Sequence, residues 1–366
     1  MTDFLGELRE ELLDGLERYE RAPWWRRRPT ARGRARVGPA ARRIAAVAVA
    51  AAAAIVAVVQ LADRTPEVEQ GTTPQVSRLE GFHATALVAA DGSLWVTQHD
   101  VDQLLRIDLQ TGKVRARIDL GGSPGAVVAG AGALWVHDWE RGRLLKVDPG
   151  TNRVVKWRTM GTSNGAIAFA AGAMWAIDQH GTLLRVAPNT LRVTRRVPLG
   201  NAATVPSSGA GLVAAGDTLW VVAGDGAITE VDARSGHILG RARGPALPLE
   251  TSLRFGADDS GLWMSSPTRR EILHIDARTR RVTRFPTAGD PDPLAIVDGR
   301  IWVGTLHDTG AVTRVTVLDT DGHVVSTIPL PGQPAVNIVP SPAGGAWVSF
   351  GEDTTVSPAA LRIPSP

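Results

Sequence analysis

Four histidines and five aspartates trail the tryptophans of this 366-residue chain at short intervals: His99 and Asp100, His137 and Asp138, Asp178 and His180, Asp225, then His307 and Asp308. The aspartates stand three to six residues after Trp95, Trp135, Trp175, Trp220 and Trp302. Imidazole nitrogens and carboxylate oxygens brought together would ligate a divalent cation or hold a polar ligand. Carboxylates crowded without a cation raise one another's pKa, so a closed ring of them would gain from a bound metal. The plainer reading is that polar loop residues are solvated where they stand. A divalent cation is the one cofactor the pattern suggests. There is no Cys, so thiolate metal sites, cysteine nucleophiles and disulfides are excluded. No H-E-x-x-H, G-x-S-x-G, P-loop or dinucleotide fingerprint stands in a confirming context. No residue is assigned a catalytic role.

The elements that must position these residues repeat. Trp95, Trp135, Trp175, Trp220, Trp263, Trp302 and Trp347 are spaced by 40, 40, 45, 43, 39 and 45 residues. A period near 40 is the mark of a repeat architecture. The second repeat divides into AVVAG, ALWVHD, RLLKVD and RVVKWRTM, four short β-rich segments bounded by turn signals. Asp148-Pro149-Gly150-Thr151-Asn152 is such a turn, and Asp108, Asp232 and Asp276 open its counterparts. Four strands per repeat and seven repeats predict an all-β, seven-bladed propeller of four-stranded blades over residues 75–366. The last repeat has three strands, near 336–340, 346–350 and 360–363. Residues 75–80 precede the first blade and supply the missing outer strand, which closes the ring and hides an edge. The recurring tryptophans are expected to pack between blades rather than to bind ligand. A longer loop is expected at 307–310.

Gly122 to Pro124, Leu94-Trp95-Val96 and Ile107 to Val114 spell G-x-P, L-W-V and I-D-x-x-T-G-K-V. With these phrases, residues 81–350 resemble the YVTN-type and virginiamycin-B-lyase-like (streptogramin lyase-like) propellers. The resemblance implies the fold. It also implies that the loop after each second strand and the loop between blades open on one face, which gathers the nine residues above with His83, Glu250, Asp290 and Asp292. Those lyases carry Trp-Phe-Thr-Glu in many blades. The fourth position here is Gln98, Asp138, Asp178, Ala223, Ser266, Thr305 and Phe350, and the Glu is missing throughout.

The N-terminal residues read differently. Residues 3–20 form an amphipathic helix, with Leu5, Leu8, Leu12, Leu16 and Tyr19 on one stripe and acids opposite. It suits a cytoplasmic protein partner or self-association. Residues 21–43 hold nine Arg and no acid, and residues 44–62 are apolar but for Gln60. Nineteen such residues are about the length of a transmembrane helix. Arginine on one side, with Asp63, Glu67 and Glu69 on the other, places the N-terminus in the cytoplasm and the propeller outside. A cleaved signal peptide would have its apolar core near residues 10–20, so an uncleaved single-pass anchor is the reading. Small residues at 57–62 mark the alternative cleavage site. Residues 21–62 would contact membrane lipid, and residues 63–74 are a polar linker.

Residues 1–43 carry 11 Arg and 7 acids, net +4 against +3 for the whole chain, which leaves −1. The basic balance belongs to the membrane-proximal tract, so nucleic acid is not expected as a partner of the globular domain. The reading that follows is a membrane-anchored, extracytoplasmic propeller that binds a ligand or a protein. The alternative is a metal-assisted lyase or hydrolase. A third reading is a signalling protein whose acidic helix reports occupancy to the cytoplasm.

Overall fold

The computed structural model describes residues 77–79, 84–161, 166–178, 180–199, 211–223, 226–244, 255–306, 312–330, 335–350 and 360–366. The expected helix at 3–20, the apolar segment at 44–62 and the linker lie outside these. Among the described residues, no helix is long and apolar enough to cross a membrane. Residues 71–366 form one compact unit.

Within it, seven four-stranded antiparallel sheets follow one another along the chain. Blade 1 spans residues 86–119, blade 2 124–159, blade 3 167–198, blade 4 212–243, blade 5 255–286 and blade 6 290–329. Blade 7 takes Ala335–Pro340, Ala346–Phe350 and Ala360–Ile363, and its outer strand is Ser77–Leu79. The closing register pairs Ser77 with Arg362, Arg78 with Leu361 and Leu79 with Ala360, as the missing fourth strand required. The protein is a seven-bladed β-propeller.

Burial changes from strand to strand and explains the composition. Second strands such as Ser93–Gln98, Ala133–Asp138 and Gly261–Ser266 are buried at every position. Both of their faces are covered by neighbouring blades, so they read as unbroken apolar runs rather than alternating ones. Outer strands are mostly exposed, as in Arg153–Thr159. All seven repeat tryptophans are at most 1% exposed. They are structural, as the sequence suggested.

The core is divided among seven interfaces. One cluster joins Trp95 and Leu104 to Val127 and Leu145 of blade 2, and another joins Trp175 and Leu183 to Leu219 and Val231 of blade 4. The last joins Leu87 and Val96 to Trp347 and Ala360, closing blade 7 on blade 1. Each tryptophan buries on the order of 200 Å² in these contacts.

The turns keep the strands in register. Between first and second strands, Asp91-Gly92, Ala131-Gly132 and Ala171-Gly172 all take positive φ at both positions, the backbone of a type I′ hairpin that matches strand twist. Between third and fourth strands the repeated aspartate acts as a local cap. Asp108 Oδ1 accepts from the Thr111 amide at 2.7 Å and its hydroxyl at 2.8 Å. Asp276 does the same with Thr279. These donors hold the Asp108 carboxyl down at about 2.

Candidate functional site

The second strands occupy equivalent positions in the seven sheets, so the described loops that follow them in blades 1, 2 and 3 are counterparts. In blade 1 this loop holds His99 and Asp100, both exposed. His99 Nδ1 lies 2.9 Å from Thr85 Oγ1, and the His99 amide donates to the same oxygen at 3.1 Å. The imidazole thus ties its loop to the entry of the blade.

Blade 2 is built more tightly. His137 and Asp138 end the second strand and are fully buried. Arg143, the cross-strand partner of Asp138, donates Nε to Asp138 Oδ2 at 2.7 Å and Nη2 to Gly121 O at 3.1 Å. The Arg141 amide donates to Oδ1 of the same carboxylate at 3.2 Å. Gly122 must be glycine here, because a Cβ would fall 2.5 Å from Asp138 Oδ2. The G-x-P phrase therefore makes room for a structural ion pair. A buried pair whose carboxylate has both oxygens engaged holds the loop and has little freedom to serve as an open ligand.

In blade 3, Asp178 Oδ1 accepts from the amides of His180 and Thr182, both at 2.9 Å. The carboxylate caps its own turn, and His180 is exposed at the tip. Asp225, His307 and Asp308 lie outside the described residues, as do His83, Glu250 and the loop expected at 307–310. Asp290 pairs with Arg270 at 2.8 Å.

Among the described residues, His99, Asp138 and Asp178 thus stand in corresponding loops and each bonds within its own blade. Among the described residues, the three-ligand His/Asp group lies elsewhere: Asp319, Asp321 and His323 bring ligand atoms within 4.8 Å of one another in the outer hairpin of blade 6. Their hydrogen bonds are those of the turn itself. Asp319 Oδ1 accepts from the amides of Asp321 and His323.

One residue of this face was not singled out by the pattern. Trp139, four residues after the core Trp135, is 49% exposed. Its amide donates to Ser123 O at 2.9 Å. Its ring occupies the space beside the first strand of blade 2 where a side chain on Gly125 would stand, a Cβ there falling 2.0 Å from Nε1. Thr97 Oγ1 of blade 1 donates to Gly125 O at 2.8 Å, so the seat of the ring is fixed from both blades. Val101, in the equivalent loop of blade 1, is 50% exposed. The sequence signal was the pair Gly125 and Trp139, an aromatic out of step with the repeat opposite a glycine.

No protein-family model matches the chain, and no curated protein matches it. Solved structures do resemble it. BamB from Moraxella catarrhalis superimposes with a TM-score of 0.52 at 13% identity, covering 74% of this chain and 78% of that one. A chain of the Mitotic Checkpoint Complex gives 0.63 at 13% identity, covering 82% and 95%. Hydrazine synthase of Kuenenia stuttgartiensis gives 0.58 at 14% identity, covering 81% and 98%. At these identities the likeness is one of fold. It includes an enzyme and a component of a protein complex, so the fold alone does not choose between catalysis and binding.

Proposed function

We propose that this protein is a membrane-anchored, extracytoplasmic propeller whose loop face binds a protein partner. The observation that carries the binding reading is Trp139. A half-exposed indole on a rigid seat, with the half-exposed Val101 in the corresponding loop of the neighbouring blade, has the character of an interface anchor. Asp138 beside it in sequence and Asp178 in the corresponding loop of blade 3 are engaged in holding loops, which favours a fixed docking platform over an acid–base site. Anchoring and location rest on the apolar segment at 44–62 and its arginine flank.

The test places a photocrosslinking residue at Val101 in intact cells. A discrete protein adduct should form, should fade in a Trp139→Ala background, and should not form from Val324, which is 63% exposed on blade 6. An adduct indifferent to Trp139 sinks the reading. Protease added to intact cells should cut the propeller and spare the N-terminus. The alternative, a metal-assisted lyase or hydrolase, draws on the blade phrases that resemble the streptogramin lyases. It requires that a divalent cation raise the melting temperature and that Asp138→Asn with Asp178→Asn abolish the gain.

A further inference from the structure

The outer strands carry a charge imbalance that the net charge conceals. Residues 75–366 hold 28 basic and 27 acidic side chains. The outer strands of blades 1 to 4 are VRARID, RVVKWRT, VTRRVP and ILGRAR. Nine of these 25 residues are Arg or Lys, all exposed, against one acid, Asp119. The outer strands of blades 5, 6 and 7 are VTRFP, VVSTIP and SRL, with two basic residues.

Edge protection does not explain this. Charged side chains on an outer strand discourage pairing with another chain. Yet the blade 6 strand is the same kind of edge and carries no charge. The preference for Arg over Lys explains nothing either, since the whole chain has only three Lys, at 113, 146 and 156. What is particular to blades 1 to 4 is the sign and its continuity. In the middle of the belt stands Trp157, 58% exposed, with the Arg143 guanidinium 5.4 Å from its ring centroid. In blade 5 the two corresponding positions are filled by Arg284 and Glu271, an ion pair at 2.6 Å. Blade 2 has put an aromatic platform where that blade closes a salt bridge.

We propose that the rim of blades 1 to 4 binds a linear acidic polysaccharide, its carboxylates on the arginines and a sugar ring on Trp157. Four consecutive blades of seven cover more than half the circumference. A flat bilayer would touch only part of such a convex band, whereas a flexible chain follows it. Guanidinium forks match carboxylates in pairs. The C–H face of a sugar packs on an indole as other apolar surface does. The polysaccharide, rather than a nucleic acid, follows from the extracytoplasmic location proposed above and rests on it.

The test uses the full chain in nonionic detergent, with polyuronate oligosaccharides as the probe. Binding should be saturable and should weaken roughly tenfold or more between about 50 and 200 mM salt. The triple variant Arg117→Gln, Arg158→Gln, Arg196→Gln should weaken it by a further factor of roughly ten. The blade 5 triple Arg269→Gln, Arg278→Gln, Arg281→Gln makes the same change in net charge and should weaken it clearly less, these sites lying outside the four outer strands. Trp157→Ala should weaken polyuronate binding and leave inorganic polyphosphate binding unchanged. Equal losses in the two triples would reduce the belt to net charge and overturn the proposal. So would indifference of polyuronate to Trp157→Ala, or tighter binding of single-stranded DNA or anionic vesicles than of polyuronate. Protease accessibility in cells reads the location separately. An exposed propeller that ignores polyuronate sinks the belt alone, and a protected one that binds it sinks the location alone.

Discussion

The seam between blades 1 and 2 and the seam between blades 4 and 5 use one position for opposite charges. In blades 1, 2 and 4 the residue paired across from the core tryptophan reaches the next blade. Opposite Trp95 it is Arg106, which donates Nη1 to Pro149 O at 2.7 Å and to Asn152 Oδ1 at 3.1 Å in the blade 2 turn. Opposite Trp220 it is Glu230, which meets Arg280 from the blade 5 turn. Blade 2 follows blade 1, with Lys146 donating to Pro188 O at 3.1 Å. Where this position reaches across, its chemistry is free as long as the far turn answers it; in blade 5 His274 instead bonds Ser260 of its own blade, and in blade 7 Arg362 bonds Ala343 O. The two answers differ in robustness. A cation is satisfied by neutral carbonyls that the turn offers anyway. A buried carboxylate needs a cation, and burial pushes the Glu230 pKa up while Arg280 holds it down.

Arg280→Ala should therefore have the largest effect, a loss of roughly 3–5 kcal/mol in urea unfolding near neutral pH, because it strands a buried charge. The sign of its pH dependence follows from Glu230. A folded pKa above the ordinary 4.5 means that the folded state holds the proton more tightly. That contribution is full below 4.5 and is lost as pH rises through the folded value. Removing Arg280 raises the folded value further, so the gap between variant and parent should narrow as pH falls toward 4.5. A gap constant with pH would mean that Glu230 is not the stranded group.

Gly240→Ala should come next, at about 2 kcal/mol. Its Cβ would lie 2.5 Å from Arg280 Nε. Gly240 pairs with Glu230, and the same place in blade 1 is Ala116, so the glycine is the mark of the inverted seam. Arg106→Ala should cost about 1.5 kcal/mol in the same assay, with no pH dependence between about 5 and 8, since the groups it leaves are neutral. A loss as large as that of Arg280→Ala would break the comparison. The smallest effect belongs to the capped turn between third and fourth strands, seen in blade 1 outside both seams. Asp108 sits at about 2 in the folded state, below its unfolded value, so its stabilisation is present above the unfolded value and lost as pH falls through about 2. Thr111→Val removes a hydroxyl donor and should raise the acid unfolding midpoint by a fraction of a pH unit.

The sequence pattern carried the fold because the fold is periodic. Tryptophan spacing counted the blades, and three leftover strands in the last repeat pointed to Ser77–Leu79. The roles of Asp138 and Asp178 did not follow from spacing. Asp138 lies five residues from Arg143, yet only the hairpin register makes them partners. Asp178 could have been read as a turn cap, like Asp108, from the Thr182 four residues on. Glu230 and Arg280 are fifty residues apart, and nothing short of the radial packing joins them. The basic rim escaped notice for another reason: a sum over a domain averages away a segregation between its strands and its loops.

The closing strand has a mechanical consequence. Among the described residues, three pairs, Ser77 to Leu79 against Ala360 to Arg362, tie the first segment of the domain to its last. A pull on the chain ahead of residue 77 is borne first by this short ladder, before any of the blades whose four strands are contiguous in sequence. Under tension the ladder is a fuse. It parts at a force the rest of the ring withstands, and it exposes the edge of Ala360–Ile363 while the other six blades stay whole.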